Sequence, residues 1–357
     1  MTESKGVRIA RYISIGVLVL GLALLPQFIT NPYLLSIFTF IAIYAIVAVG
    51  LCLLMGYTGQ ISLGQAAFFG IGAYASGVLT ATHKWDPWIA MVIAALLTGL
   101  IAVAVGSILL RFQGHVLAVA TLALTIIVYI LLVQLEPITG GLSPGLPGIP
   151  RLSIGGLKFT KDFHYFYVSW AALLILLLLA SNIVHSRVGR AMRSFHHFYG
   201  GSEQAAESVG VNPTRLKVQV FAMSAMYASI AGSIYAHYIT YLNPSPFGLF
   251  MSLQLMVMVI LGGLRSLWGA ILGAATIVAL GEILRAVVPM FIPGAFGEYQ
   301  IVAYGVIMIV ILLLVPEGMV QIPRSVWAGL RRITSQGRRA PQLAGEGIAV
   351  QGAEKGG

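Results

Sequence analysis

"GYTGQISLGQ", residues 56–65, separates two apolar runs. It holds three glycines, two glutamines, a serine and a threonine, and no charged side chain. To its left, residues 33–55 form an apolar segment long enough to cross a ~30 Å hydrocarbon layer at 1.5 Å per residue. To its right, residues 66–82 begin another. No Asp, Glu, Lys or Arg occurs from residue 12 to residue 82. A soft polar break inside so long an uncharged stretch has no place on a soluble surface. The chain is therefore expected to be an all-α, polytopic integral membrane protein.

Composition agrees. The chain is 58% hydrophobic and 9% charged, where soluble proteins carry about 25% charged residues. The net charge of +10 does not point to nucleic acid, because the positive side chains sit at the ends of apolar runs, where they orient a membrane protein. Cys52 is the one cysteine, so no intrachain disulfide can form. Residues 12–25, "YISIGVLVLGLALL", follow Lys5, Arg8 and Arg11 like a signal peptide, but the run ends "PQFITNP" without a small-x-small cleavage site. It reads as a retained first helix.

About ten spans are expected: 12–29, 33–55, 66–82, 88–110, 116–135, 166–184, 218–241, 247–264, 266–288 and 299–315. With both termini in the cytoplasm, Lys5, Arg8, Arg11, Arg111, Arg187, Arg190, Arg193, Arg215, Lys217, Arg265 and Arg324 fall inside. Lys84, Arg151, Lys158 and Lys161 fall outside, mixed with Asp86, Glu136 and Asp162. That is the asymmetry of the positive-inside rule. The transmembrane domain would be 1–336, with an outer loop at 136–165 and a charged inner loop at 185–217. Residues 337–357 have the composition of a disordered cytoplasmic tail. "GQISLGQAAFFGIGAY" and "GGLRSLWGAILGAA" each place glycines before a small-residue helix. A two-half transporter shows such pairs, and a Gly-rich membrane protein produces them by chance equally well.

Several chemistries are missing. There is no phosphate-binding G-x-x-x-x-G-K-[ST] loop and no paired His or Cys at metal-ligand spacing. His196 and His197 are adjacent and diverge by about 100° on a helix. No nucleophile–base constellation is visible, so no catalytic residue, metal or cofactor is expected. Mid-membrane carboxylates, which would mark ion coupling, are nearly absent. Glu282 and Arg285, three apart, read as an ion pair on the ninth span. Such a protein borrows its energy from a partner.

The inner loop carries "GGSEQAAESVGVNPTRLKV", residues 200–218. Ser202 suits a helix N-cap, Glu203 the first turn and Gly210 the C-terminal stop. Ala205 and Ala206, each near Val209 at helical spacing, give a small apolar face. Asn212 and Pro213 open the next helix. A two-turn helix, roughly 10 Å long, is expected on a short leash. By spacing alone an ordinary amphipathic linker fits equally well.

"EQAAESVG" resembles the E-A-A-x-x-x-G coupling element of bacterial ABC importer permeases. Together with "GYTGQISLGQAAFFGIGAY", "TGGLSPGLPGIPR", "GSIYAHYITYLNPSPFG", "VMVILGGLRSLWGAILGA" and "YGVIMIVILLLVPEGM", it makes residues 35–320 similar to the M-type permease of the branched-chain amino acid (Liv) importers. The resemblance implies a type II-like importer fold in the bacterial inner membrane. It implies an H-type permease, two ATPases and a periplasmic binding protein as partners, and an ATPase-coupling role for Glu203, Ala205, Ala206 and Gly210. It implies import of branched-chain amino acids, while relatives of this type serve urea, short amides or aromatic acids. An ion-coupled secondary transporter is the second class. The chain departs from the family pattern at "SFHHFYGG", at Arg265 and at Glu317. The break at 56–65 keeps two readings. Gly59, Gln60, Ser62 and Gln65 line a route along which a zwitterion slides past uncharged hydrogen-bonding groups, or they form a packing hinge that touches no solute.

Overall fold

A computed structural model describes residues 31–112, 114–154, 157–159, 162–195 and 202–291, together with residues 305, 306 and 309. All of them fall in the first of two compact units, Met1–Met319. The expected span at 12–29, that at 299–315 except residues 305, 306 and 309, the tail at 337–357, Glu317 and the adjacent His196 and His197 lie outside the described residues.

Helix α1 (Pro32–Cys52) begins where Asn31 Oδ1 accepts from the Tyr33 amide at 3.0 Å. Pro32, with φ already helical and no amide to leave unpaired, stands in its first turn. From Ile41 to Thr58 every residue except Tyr44 is buried. An apolar run with no polar face is what a helix surrounded by other helices requires. The helix widens into a π turn, Leu53–Tyr57, and stops. After the irregular residues 58–64 come α2 (Gln65–Ala81), α3 (Pro87–Leu109), capped by Asp86, and α4 (Gly114–Gln134). The following loop holds the single turn α5 (Glu136–Thr139) and a small antiparallel hairpin, β1 (Ser153–Ile154) with β2 (Leu157–Lys158). Then follow α6 (Asp162–His185), α7 (Arg187–Phe195), α8 (Glu203–Ser208) and α9 (Pro213–Ile239). A 3-10 turn at Ser245–Phe247 leads into α10 (Leu249–Gly262) and α11 (Leu267–Phe291). Apart from that hairpin and one isolated bridge, Leu146 with Leu242, the described residues are helix and loop.

Six of these helices are long and apolar enough to cross a membrane: α1 with its π turn, α3, α4, α6, α9 and α11. The expected spans at 66–82 and 247–264 correspond to α2, of 17 residues, and α10, of 14. Both are short for a full crossing, because each begins or ends at a break within the bundle.

The outer helices are packed inside out relative to a soluble protein. In α3 the buried face is Ala90, Ala94, Ala95, Thr98, Gly99, Ala102 and Gly106, and the exposed face carries Ile89, Val92, Leu96, Leu97 and Leu100. In α4 Thr121 and Thr125 point inward while Val119, Ile126, Ile127 and Ile130 point out. Lipid is as apolar as leucine, so burial of leucine gives no advantage there. Close backbone contact and hydrogen bonds between small residues drive association instead.

The seam between α2 and α9 shows this at its tightest. A Cβ on Gly72 would lie 2.3 Å from Ser229 Cα, and one on Gly232 would lie 2.1 Å from the Phe69 carbonyl oxygen. Ser233 Oγ donates to the Gly72 carbonyl at 3.2 Å, and Thr98 Oγ1 reaches Ser229 Oγ from α3 at 3.0 Å. Replacing Gly72 by Val should therefore force the helices apart, at a cost of about 3 kcal/mol or more. Gly248→Ala, whose added Cβ would meet only the Ser245 carbonyl oxygen at 3.8 Å, should stay within about 0.5 kcal/mol of the parent. Thermal unfolding of the two purified variants in detergent checks the contrast.

Candidate functional site

The break expected from the sequence is buried in the bundle. Gln60, Ser62 and Gln65 are each 5% exposed or less, and Gly59 alone of the four candidate residues is exposed, at φ +71°. The chain cannot hydrogen-bond itself helically here, so side chains of four other helical turns take over. The Leu63 amide donates to Thr121 Oγ1 at 2.9 Å, and Thr125 Oγ1 donates to the Leu63 carbonyl at 2.7 Å. The Ala66 amide reaches Ser252 Oγ at 3.3 Å, and Ser62 Oγ accepts from the Gly64 amide at 3.3 Å. Gln65 Nε2 donates to Ser224 Oγ at 2.9 Å. The Gln60 amide returns to the Leu54 carbonyl at 3.3 Å, closing the widened turn.

The partners fix the depth of the break. Ser224 stands 11 residues into α9 and Thr125 11 residues into α4, each about 16 Å of helical rise. Ser252 lies 10 residues from the end of α10, about 15 Å. The break thus lies about halfway along α4 and α9, and beside the first turn of α10. Two carbonyl oxygens, Gln60 Oε1 and Gln65 Oε1, are buried there without a donor among the described residues. Turning the Gln65 amide over would only exchange which end is unpaired, because one neighbour, Ser224, serves it.

A second break meets the first. Between α10 and α11 the chain turns at Gly263, φ +104°. Cys52 Sγ contacts the Leu264 carbonyl at 3.3 Å and the Tyr57 hydroxyl donates to the Arg265 carbonyl at 3.2 Å. A Cβ on Gly56 would lie 1.6 Å from the Leu264 oxygen. The paired motifs "GQISLGQAAFFGIGAY" and "GGLRSLWGAILGAA" thus both follow breaks, and the turns leading into them touch.

The inner loop folds as its spacing foretold, with two changes. Helix α8 spans Glu203–Ser208 and ends at Gly210, φ +84°. The Gly210 amide bonds the Glu207 carbonyl and the Val211 amide bonds the Ala206 carbonyl, both at 3.0 Å, the paired pattern of a glycine C-terminal stop. A Cβ on Gly210 would meet nothing within 4 Å, so the backbone angle is what requires glycine. Asn212 caps α9 by accepting from the Arg215 amide at 2.9 Å. Ser202 occupies the N-cap position, but its side chain makes no capping bond. The apolar face also divides: Ala206 is buried, while Ala205 and Val209 face outward, Val209 at 74% exposure. Glu203 does more than complement the helix end. Its carboxylate pairs with Lys217 Nζ at 2.6 Å, and the Lys217 side chain is only 9% exposed.

The Glu282–Arg285 pair expected on the ninth span forms at 3.1 Å, and the Tyr33 hydroxyl of α1 donates to the same carboxylate at 2.6 Å. This ties α11 to α1 and leaves Glu282 satisfied. Sequence reading found the break and the loop but missed Thr121, Thr125, Ser224, Ser252 and Lys217. The one local signal was the presence of hydroxyl side chains within the mainly apolar helices α4, α9 and α10.

A family model described as branched-chain amino acid transport system / permease component matches residues 33–314. The high-affinity branched-chain amino acid transport system permease protein LivM of Salmonella typhimurium is 29% identical over 331 residues, covering 85% of this chain and 75% of the relative. LivM of Escherichia coli is 28% identical, covering 86% and 75%. An autoinducer 2 import system permease protein, LsrC of Yersinia pseudotuberculosis, is 28% identical over 274 residues, covering 73% and 74%. No solved structure matches the chain. With a bundle of apolar helices packed inside out and a family match running through all of its main elements, the chain belongs to the permease-component family of branched-chain amino acid transport systems and is a multi-pass membrane protein.

Proposed function

We propose that this chain is the M-type permease subunit of an ABC importer that moves branched-chain amino acids into the cytoplasm. The observation that carries the reading is the shape of the inner loop. A short helix held by its buried Ala206 and its Glu203–Lys217 pair turns Ala205 and Val209 outward, a small apolar knob that none of the described residues covers. In a permease similar to LivM over 85% of its length, that knob is a handle for a separate ATPase. The full assembly pairs this chain with an H-type permease, two ATPases and a periplasmic binding protein. About ten helices in a type II-like arrangement cross the inner membrane, with both termini in the cytoplasm.

In this scheme the loaded binding protein docks on the loop at 136–165, and nucleotide-driven closure of the ATPases displaces α8. Gly59, Gln60, Ser62 and Gln65 line the route. The unpaired Gln60 Oε1 and Gln65 Oε1 offer a passing ammonium group hydrogen bonds without a fixed charge, so the solute is guided without being trapped. The permease breaks no bond. Similarity to LsrC over 73% of the chain favours one second reading, the same machinery serving a different small polar solute.

The complex reconstituted in vesicles, with ATP inside and binding protein outside, should accumulate leucine, and no accumulation in this assay would remove the substrate assignment. Glu203→Lys sets two positive charges against each other, and Gly210→Val forces a left-handed angle on a β-branched residue. Each should cut leucine import per ATP hydrolysed by about tenfold, the scale of a typical coupling energy. Gln60→Leu and Gln65→Leu should lower import by a similar factor, about tenfold, while leucine affinity of the binding protein, measured by calorimetry, stays as in the parent. Normal import by both glutamine variants would leave the break a packing hinge.

A further inference from the structure

Helix α9 touches every part of the molecule that the proposed cycle must move. At its start, Lys217 holds Glu203 of α8 at 2.6 Å. Seven residues on, about 10 Å of rise, Ser224 accepts from Gln65 at the buried break. Near its far end His237 Nδ1 lies 2.8 Å from the Pro150 carbonyl oxygen, and His237 Nε2 lies 2.8 Å from Ser76 Oγ. A carbonyl can only accept, so Nδ1 carries the proton and Nε2 accepts from the serine. The Tyr165 hydroxyl donates to the His237 carbonyl and accepts from the Leu152 amide, both at 2.8 Å. Leu146 and Leu242 exchange two backbone bonds, at 2.9 and 3.0 Å. The loop that faces away from α8 is thus fastened to the end of α9 by backbone and side chain together.

The helix between these points is continuous. It runs 27 residues, about 40 Å, with its proline confined to the first turn. Its one potential weak point, Gly232, is wedged against the Phe69 carbonyl. Such a rod moves as a unit. At its lower end its connection to α8 is narrow, the Gly210 turn and the ion pair, while α8 packs mainly against α7. A nearly buried lysine is a poor way to gain stability, since loss of hydration offsets the attraction, and an apolar side chain of that size would pack as well. What the pair supplies is a directional link.

We propose that Lys217 is a positioning residue. It clamps α8 onto α9, so that a pull on α8 travels along α9 to the break and to the outer loop at 142–152. This rests on the reading of α8 as the ATPase handle.

The test uses the complete reconstituted complex and four forms of this chain: the parent, Lys217→Gln, Lys217→Glu, and Lys217→Glu combined with Glu203→Lys. Lys217→Gln should raise the ATP hydrolysed per leucine imported by about tenfold, and the reversed pair should bring it back to within about twofold of the parent. A lysine that acts only through the packing of its aliphatic stem would not be rescued by reversing the charges. A parental ratio in Lys217→Gln, or a reversed pair no better than Lys217→Glu alone, overturns the proposal. Hydrogen exchange at the amides of Leu146 and Ile149, compared between nucleotide-trapped and nucleotide-free complex, reads the same link without any substrate. It should respond to nucleotide in the parent and not in Lys217→Gln, and an equal response in both overturns the clamp. A parent complex that responds in exchange yet imports no leucine refutes the substrate assignment and leaves the clamp standing.

Discussion

Inside a hydrocarbon layer a backbone amide that leaves its helix has no water to bond, and each unsatisfied group costs several kcal/mol. The architecture around residues 58–64 answers that constraint. The amide and carbonyl of Leu63 and the amide of Ala66 find hydroxyl groups of Thr121, Thr125 and Ser252. Each of those hydroxyls sits on a helix whose outward face is apolar. The break therefore exists only because α4 and α10 stand against it. Around it, Gly56 against the Leu264 carbonyl and the Gly72–Gly232 seam of α2 with α9 let backbones approach to distances that a Cβ would forbid.

Close approach has a mechanical side. Helices in contact through glycine and serine, locked by buried hydroxyl bonds, have little freedom to slide independently. The small-residue seam of α9 with α2 and α3 makes these helices one stiff unit about 40 Å long. The looser surface is elsewhere. Helix α4 shows most of its area outward, and α8 rests against α7 and joins α9 through an ion pair and a glycine turn. Stiffness in the middle and a light attachment at the basic end are what the proposed role, a subunit driven by separate ATPases, would need.

Much of this was legible in the chain. The uncharged stretch from residue 12 to residue 82 excluded a soluble fold, and the positions of α1, α3, α4, α6, α9 and α11 followed from run length. Asn212, Pro213 and Gly210 set the ends of their helices by local chemistry, and each does in the structure what its type favours. The orientation of the two alanines was not legible. Ala205 and Ala206 are both small and both near Val209, yet only Ala206 turns inward. A six-residue helix carries too short a pattern to show which side its neighbours occupy. The role of Lys217 was also hidden. It lies in the same basic cluster as Arg215, and nothing in the spacing tells a buried, paired lysine from a solvated one.

The sequence by itself determined the solvent: long apolar runs and charges confined to their ends can be stable only across a bilayer, and that follows from transfer energies summed residue by residue. It also determined where the chain must bend, because glycine and proline act on their own backbone angles. Only the tertiary structure decided which polar groups meet. Gln65 and Ser224 are 159 residues apart, Ala66 and Ser252 are 186 apart, and Lys217 finds Glu203 by folding back across the Gly210 turn. A hydrogen bond is made or lost within a few tenths of an ångström. That precision comes from the crossing of whole helices, which no local pattern records.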